Sequence, residues 1–469
     1  MSPSRRQFVE AAAAGLAASW LGCGSSEESS PTSRKPNIVL IMSDDLGYEA
    51  IGAYGGASYA TPRIDELAQT GMRFNNAYAQ PLCTPTRLQL MTGEYNYRNW
   101  LGFGIMRPDE RTFGHQLKEA GYKTCISGKW QFYSYNPPTF EPEFRDLGMK
   151  PEQAGFDEWF LWHAAETEDK GSRFANPTIE ENGNPVPNTD GKYGPDLYVD
   201  YINGFMERNK DEPFFVYYPM ALTHDPFNPT PHSADWAAGD RLANDPDKYF
   251  GDMVEYMDHC IGRVVDKLDE LGLRENTLVI YYSDNGSPLP TTSMLGETAI
   301  PGGKGAPTDA GTRVPLVINW PGHVPAGRVV DELADSTDLY ATVLDAGGAH
   351  APAGQPVDGV SLLPIARGES DHTKDVIICW HDPRPGAMKE AFTHLDLWAR
   401  DKRFKLYEDG RLYDVPADVL EEHPIAAGSG PPEAESARAK LQAALDEIPA
   451  NRKGPQWDPY VGFREVMAR

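Results

Sequence analysis

The chain has 469 residues, of which 40% are hydrophobic, and this composition excludes disorder, collagen and coiled coil as descriptions of the whole protein. Its 43 Lys and Arg against 69 Asp and Glu give a formal net charge of −26, so no basic face for a nucleic-acid partner is expected. An anionic substrate would therefore need a local cluster of positive charge.

The N-terminal segment has the features of an export signal. Residues 4–8, Ser-Arg-Arg-Gln-Phe, resemble a bacterial twin-arginine signal, and the apolar run at 11–22 is too short to span a bilayer. Cys23 follows Leu-Gly, which resembles a lipoprotein cleavage box, and ordinary signal-peptidase cleavage nearby is the equal alternative. We expect residues 1–35 to be an export signal and tether. The protein would then be periplasmic or a lipoprotein anchored to a membrane through Cys23.

Strands and helices alternate in the next part of the chain. The predicted strands are continuous apolar runs at 36–42, 122–126, 214–218, 277–282 and 314–319. The predicted helices lie at 62–70, 113–120 and 249–271, the last with apolar residues at helical spacing. This alternation is typical of an α/β domain built on a large, mostly parallel sheet flanked by helices. We assign this domain to residues 36–364.

The pattern changes after a Gly-, Ala- and Pro-rich stretch at 345–359. Four short strands are predicted at 375–380, 395–399, 402–406 and 411–415, and a charged helix at 432–448. The last two strands flank Asp409-Gly410, a common hairpin turn. These elements predict a smaller α+β C-terminal domain over residues 365–469.

Two acidic segments directly follow predicted strands. Asp44-Asp45 follows the first strand, and Asp284-Asn285 follows the strand at 277–282. Ligands of parallel sheets bind where strands end at the carboxyl edge, and carboxylate and amide oxygens suit Ca²⁺ or Mg²⁺. Either pair alone is more simply a turn or a helix cap. The two pairs predict a metal site only in combination with the segment that follows.

The segment at 83–87, Cys-Thr-Pro-Thr-Arg, predicts a cysteine at the start of a helix. Thr84 is a suitable N-cap and Pro85 a suitable first helical residue, so Cys83 would lie where backbone N–H groups favour an anion. Arg87 would face the same side one turn later. An isolated cysteine of this kind would be read as a buried core residue.

The spacing of the five cysteines fits neither a zinc site nor a redox pair, and we expect the others to be buried and unpaired.

The segment at 83–87 resembles the C-x-P-S-R signature of the sulfatase family, and other motifs of that family occur in the same order along nearly the whole chain. The matching segments are Asp44-Asp45, Gly128-Lys129-Trp130, Thr223-His224-Asp225-Pro226, Ser283-Asp284-Asn285-Gly286, Gly302-Gly303-Lys304, Thr312-Arg313-Val314-Pro315 and Leu412-Tyr413-Asp414. The resemblance is to the formylglycine-dependent sulfatases of the alkaline-phosphatase-like superfamily. It implies the fold of that superfamily and hydrolysis of a sulfate ester.

The resemblance also implies roles for individual residues. A formylglycine-generating enzyme would convert Cys83 to formylglycine, the nucleophile. A divalent metal, Ca²⁺ or alternatively Mg²⁺, would be held by Asp44, Asp45, Asp284, Asn285 and the modified Cys83. Arg87 and Lys129 would hold the formylglycine hydroxyls and the sulfate, with Lys304 and His224 on the leaving-group side. His224 is the residue suited to protonate the departing alcohol. The expected substrates are sulfated glycans or other sulfated organic compounds.

Two positions depart from the family pattern. Thr86 replaces the usual Ser or Ala, and Gln131 stands where the family has a histidine that contacts the formylglycine.

A phosphonate or phosphodiester hydrolase with the same nucleophile and metal remains an alternative. A non-catalytic binder of sulfated glycans is a second alternative, favoured only by Gln131. Four residues are candidates either for a sugar subsite or for packing: Trp162, His163, Trp380 and His381.

Overall fold

A computed structural model describes residues 34–133, 147–164, 170–384, 395–456 and 458. The predicted export signal and tether therefore lie almost wholly outside the described residues. The described residues from Lys35 onward form one compact unit. Within the described ranges, no helix has both the length and the apolar character that crossing a membrane requires.

A ten-stranded, mostly parallel sheet is the centre of the molecule. Its strands are β1 Asn37–Ser43, β2 Met72–Tyr78, β3 Lys123–Lys129, β4 Glu158–Trp162, β5 Glu180–Glu181, β6 Asn184–Pro185, β7 Phe214–Pro219, β8 Thr277–Ser283, β11 Leu316–Asn319 and β12 Arg328–Asp335. Their order is β12-β2-β11-β8-β1-β7-β3-β4-β5-β6, with β11 antiparallel to both of its neighbours. A separate hairpin consists of β9 Thr292–Leu295 and β10 Thr298–Pro301.

Helices cover both faces of this sheet. The α-helices described up to residue 366 are α1 Pro62–Thr70, α2 Cys83–Thr92, α3 Asn96–Asn99, α4 Phe113–Glu119, α5 Gly194–Arg208, α6 Ala234–Ala238, α7 Pro246–Glu270, α8 Asp309–Thr312, α9 Ser336–Gly347 and α10 Leu363–Ala366. Successive side chains of β1 enter different cores: Leu40 packs in the core that includes α2, α4 and α9, and Val39 in the core that includes α1, α5 and α7. All seven residues of β1 are buried, which is why its sequence is continuously apolar instead of alternating.

The C-terminal part contains a four-stranded antiparallel sheet, formed by β13 Ile377–His381, β14 Asp396–Arg400, β15 Phe404–Tyr407 and β16 Leu412–Asp414. Helix α11, Pro432–Asp446, buries Ala437, Leu441 and Leu445 in the core that this sheet shares with the large sheet. The predicted α+β architecture is confirmed. The boundary between residues 364 and 365 stays a prediction.

The structure also contains elements that the sequence analysis did not predict, among them β2, β4, β12, α5 and α9. Cys125, Cys260 and Cys379 are buried and form no disulfide, as expected.

Candidate active site

The two acidic segments meet at the carboxyl edge of the large sheet because β1 and β8 are adjacent and parallel. Ser43 is in register with Ser283, so Asp44 and Asp284 leave the sheet side by side. The Asp45 N–H donates to Asp284 Oδ1 at 2.9 Å, and Asn285 Nδ2 donates to Asp45 Oδ1 at 2.8 Å. All four side chains are fully buried. The predicted convergence of these residues is confirmed.

Cys83 lies at the start of α2 beside this cluster. The predicted N-cap is wrong: α2 begins at Cys83 itself, Leu82 occupies the cap position, and Thr84 Oγ1 instead accepts a hydrogen bond from Gly104 N at 3.1 Å. Thr86 Oγ1 donates to the Asp284 backbone oxygen at 2.6 Å and accepts from Gln80 N at 2.9 Å. The Thr86 hydroxyl therefore links α2 to the acidic segment that follows β8.

Arg87 forms a buried ion pair with Asp284. Its Nε and Nη2 donate to Asp284 Oδ2 at 3.0 and 2.7 Å, and Nη2 lies 3.6 Å from Asp44 Oδ1. The guanidinium is thus directed at the carboxylates of Asp284 and Asp44. This position holds Asp284 in a fixed orientation.

Two lysines are paired with aspartates of the cluster. Lys129, at the end of β3, donates from Nζ to Asp44 Oδ2 at 2.8 Å, and Lys304 is paired with Asp45. Glycines in both lysine motifs allow close backbone packing. A Cβ on Gly128 would lie 2.0 Å from the Pro219 oxygen, and one on Gly302 would lie 1.8 Å from the Pro288 oxygen.

The small C-terminal sheet supports the loop that carries Lys304. Lys405 Nζ donates to the Pro307 oxygen at 2.7 Å and to Glu421 Oε1 at 2.8 Å. The same Glu421 oxygen accepts from Asp309 N at 2.8 Å. Part of the site's geometry therefore depends on the C-terminal domain.

His224 follows β7 and is held by its neighbour. Its Nδ1 lies 2.8 Å from the backbone oxygen of Asp225 and 2.8 Å from that residue's Oδ1. Its Nε2 lies 3.8 Å from Asp45 Oδ2. Burial, followed by the positive charge of Lys304, lowers the pKa of His224 below its ordinary value.

Three carboxylates and three cations nearly balance at the centre of the site. Burial alone would raise the pKa of Asp44, but the surrounding cations, with Lys129 the strongest, hold it well below its usual range. Burial and the neighbouring Asp44 charge raise the pKa of Asp284 above its usual value, and the paired Arg87 opposes this rise. The balance allows the site to take up a cation together with an anion.

The residues present fit a divalent cation. Ligand atoms of Asp44, Cys83 and Asp284 lie within 4.8 Å of one another. Asp44 Oδ1 and Asn285 Oδ1 are buried and have no hydrogen-bond partner among the described residues. Buried oxygens left without donors in this way are suited to bind a hard metal ion.

A cavity of about 450 Å³ opens over this cluster. Its lining residues include Asp45, Cys83, Lys129, Gln131, Trp162, His163, Lys170, Arg173, His224 and Lys304. Two of the four candidate sugar-contacting residues are therefore in place. Trp380 and His381 are instead buried in the C-terminal sheet, where the Trp380 indole donates to the Arg452 oxygen.

Sequence reasoning missed Lys170 and Arg173. Both lie between β4 and α5, in a stretch without a motif or a periodic pattern. Only the folded chain brings them to the cavity.

Two family models and several known proteins match this chain. The sulfatase family model matches residues 36–349, and the model described as N-sulphoglucosamine sulphohydrolase, C-terminal, matches residues 307–451. Human N-acetylgalactosamine-6-sulfatase is 32% identical over 365 residues, covering 70% of this chain and 65% of the relative. Human arylsulfatase A is 29% identical over 469 residues, covering 89% of each chain. The chain thus spans about 65% of the length of the N-acetylgalactosamine-6-sulfatases it matches.

Solved structures share the fold. The PsFucS1 sulfatase from Pseudoalteromonas sp. has a TM-score of 0.68 at 25% identity, covering 91% of this chain and 92% of that one. Ps i-CgsB in complex with k-i-k-neocarrahexaose has a TM-score of 0.71 at 25% identity, covering 92% and 96%. The phosphonate monoester hydrolase of Agrobacterium radiobacter, at 21% identity and a TM-score of 0.65, covers 89% and 96% and shows the fold alone. The predicted fold class is confirmed.

Proposed function

The chain belongs to the sulfatase family, and we propose that it hydrolyses a sulfate ester, on a sulfated glycan or a related sulfated compound, with a formylglycine made from Cys83 as nucleophile. The observation that carries the proposal is the position of Cys83. It is 2% exposed and lines the cavity between the carboxylate cluster and a set of cationic and histidine side chains. The names of the relatives support the same reaction.

The chain's own residues account for binding of the sulfate group. The Lys129 and Lys304 ammonium groups line the cavity and are oriented by Asp44 and Asp45, so they can donate to the nonbridging oxygens without rearranging. Arg87 is paired with Asp284 and adds a buried positive charge to the site. These fixed donors would stabilise charge that develops on the sulfate oxygens.

His224 is placed to deliver a proton to the leaving alcohol. Asp225 engages Nδ1, so Nε2 is the nitrogen directed toward Asp45 in the cavity. Its lowered pKa makes the protonated form a stronger acid than an ordinary imidazolium, which suits an alkyl alcohol that leaves poorly as an anion.

The proposed reaction also requires a formylglycine at residue 83 and a divalent metal ion. A hydrated formylglycine would supply one hydroxyl that attacks sulfur and a second whose deprotonation reforms the aldehyde and releases sulfate. Ca²⁺ or Mg²⁺ would be held by Asp44, Asp45, Asp284, Asn285 and an oxygen of residue 83, supplying positive charge for the sulfate oxygens.

The modification can be tested by mass spectrometry of the peptide that carries residue 83, after co-expression with a formylglycine-generating enzyme. The expected result is an aldehyde at residue 83 and loss of turnover in Cys83→Ala. Cys125→Ala is the matched control, since Cys125 is a buried thiol on β3 away from the cavity. Full activity of protein that carries only a thiol at residue 83 would exclude the mechanism.

The substrate class is tested with aryl sulfate, aryl phosphonate and phosphodiester in parallel. We expect the sulfate to be preferred. Preference for phosphonate or diester would favour the alternative hydrolase, and binding of sulfated glycans without turnover by fully modified protein would favour the non-catalytic binder.

We propose in addition that the protein is exported, on the basis of the twin-arginine pattern at 4–8. Cell fractionation of wild type and Cys23→Ala tests this. A lipoprotein should leave the membrane fraction when Cys23 is replaced, and wild-type protein in the cytoplasm would contradict export.

A further inference from the structure

We propose that Arg173 forms a second anion-binding subsite in the cavity, and that the substrate carries a second anionic group, a carboxylate or another sulfate, close to the sulfate that is removed. This inference rests on the proposed function and narrows its substrate class.

The Arg173 guanidinium is held in a fixed orientation by an aromatic ring. Its central carbon lies 4.0 Å from the centroid of the Trp162 ring, and the Trp162 indole donates to the Gly171 oxygen at 3.2 Å. Trp162 is the last residue of β4 and is in register with Lys129 of β3. Because stacking uses the face of the guanidinium, the N–H groups on its edge stay available for a ligand.

One nitrogen of the same guanidinium is buried without a hydrogen-bond partner among the described residues. The Arg173 side chain is 13% exposed, and its Nη1 is buried with no hydrogen-bond partner among the described residues. The nearest carboxylate oxygen is Asp44 Oδ2 at 3.9 Å, and that oxygen already accepts a hydrogen bond from Lys129 at 2.8 Å. A buried donor without an acceptor is unfavourable, so an anion bound here would remove a penalty as well as add a contact.

The charge distribution also calls for more than one anion. Arg87, Lys129 and Lys304 already balance Asp44, Asp45 and Asp284. With Asp225 counted as a fourth carboxylate, a divalent cation would leave an excess of one positive charge, which a single sulfate monoester neutralises.

Arg173 adds a further positive charge for which this count leaves no anion, and Lys170 lines the same cavity. Burial and the charges of Arg173 and Lys129 lower the pKa of Lys170 to about 7, so an anion nearby would favour its charged form. Among the described lining residues, Asp225 supplies one further carboxylate, which lies 2.8 Å from His224 Nδ1.

The test compares three substrates: a 4-nitrophenyl sulfate with one anionic group, a monosulfated disaccharide with a uronate carboxylate, and a disulfated monosaccharide. In Arg173→Gln we expect kcat/KM to fall about 10–100-fold for at least one of the two doubly anionic substrates, mainly through KM. The aryl sulfate should change less than about 3-fold. The doubly anionic substrate that loses most identifies the second group as carboxylate or sulfate.

Two further variants separate binding from packing. Arg173→Lys keeps the charge but loses the planar fork, and it should retain part of the discrimination. Arg241→Gln removes a comparable Arg from the Trp236 ring, at 4.6 Å, outside the cavity lining. It should leave all three substrates unaffected, and thermal unfolding of each variant measures the packing contribution.

A binding measurement keeps the inference independent of turnover. In a Cys83→Ala background, calorimetry should show the preferred doubly anionic ligand binding about 10–100-fold more weakly once Arg173→Gln is added, with the aryl sulfate unchanged. Equal losses for all ligands would place Arg173 on the cleaved sulfate and overturn the inference, and so would no loss for any. A wild-type enzyme that hydrolyses no sulfate ester would instead refute the proposed function, while calorimetry would still decide on Arg173.

Discussion

Replacement of Arg87 by Ala should destabilise the protein strongly, and Ca²⁺ should reverse part of the loss. The Arg87 guanidinium is 1% exposed and donates twice to the fully buried Asp284. Removing one partner of a buried ion pair leaves the other charge uncompensated, which typically costs about 3–5 kcal/mol. A divalent ion at Asp284 would supply the missing positive charge. The loss should therefore lie in that range with a chelator present and be clearly smaller in excess CaCl₂.

The measurement is the free energy of unfolding from urea titrations of wild type and Arg87→Ala, each with chelator and with CaCl₂. Arg400→Ala is the control, because Arg400 is equally buried and lies 3.2 Å from Asp309 Oδ1, outside the proposed metal ligands. Its destabilisation should be the same with and without Ca²⁺. An Arg87→Ala loss that does not depend on Ca²⁺, or a wild type that Ca²⁺ does not stabilise, would refute the assignment of Asp284 as a metal ligand.

Three further predictions concern single residues. His224→Ala should slow the hydrolysis of alkyl sulfates about 10²–10⁴-fold and that of activated aryl sulfates much less, because only the alkyl alcohol needs a proton to leave. Equal losses of steady-state rate on both substrate types would show that His224 has another role. Gln131 lines the cavity, and its Oε1 has no hydrogen-bond partner among the described residues. An amide cannot accept the proton whose loss releases sulfate, so stopped-flow assays should show a burst of alcohol release followed by slow turnover. Gln131→His should accelerate only the slow phase. A linear time course together with a histidine variant no faster than wild type would contradict this prediction. Burial raises the pKa of Glu49 to about 7 from an ordinary 4.5, so the folded state binds this proton more tightly and stability should fall by about 3 kcal/mol as pH rises from 4.5 to 7. Glu49→Gln should flatten that part of the unfolding-versus-pH curve, and an unchanged slope would show that Glu49 is not its source.

Local sequence was sufficient for the elements whose pattern reflects burial directly. The first strand is covered on both faces, so an unbroken apolar run predicted it, and Asp44 and Asp284 follow strands of this kind. The acidic pairs were placed at the carboxyl edge because parallel strands share that edge. By contrast, β2 alternates between buried and partly exposed residues and α9 has a broad apolar surface, and neither pattern was recognised.

The cap of α2 shows where local rules fail. Thr84 has the chemistry of an N-cap, but its hydroxyl accepts a hydrogen bond from Gly104 of a neighbouring loop, and the helix begins at Cys83, two residues earlier than predicted. A tertiary hydrogen bond replaced the local one, and no pattern within the segment could have indicated it.

The sequence by itself determined which chemistry the chain carries: the cysteine segment, the acidic strand ends and the two lysine motifs are all legible as short runs of residues. Tertiary structure alone decided how these groups are paired and what surrounds them. It paired Arg87 with Asp284, placed Gln131 and Cys83 in the lining of one cavity, and brought Arg173 to within 3.9 Å of Asp44. These contacts join residues far apart in the chain, and their geometry follows from strand register and loop packing, which leave no periodic trace in the sequence.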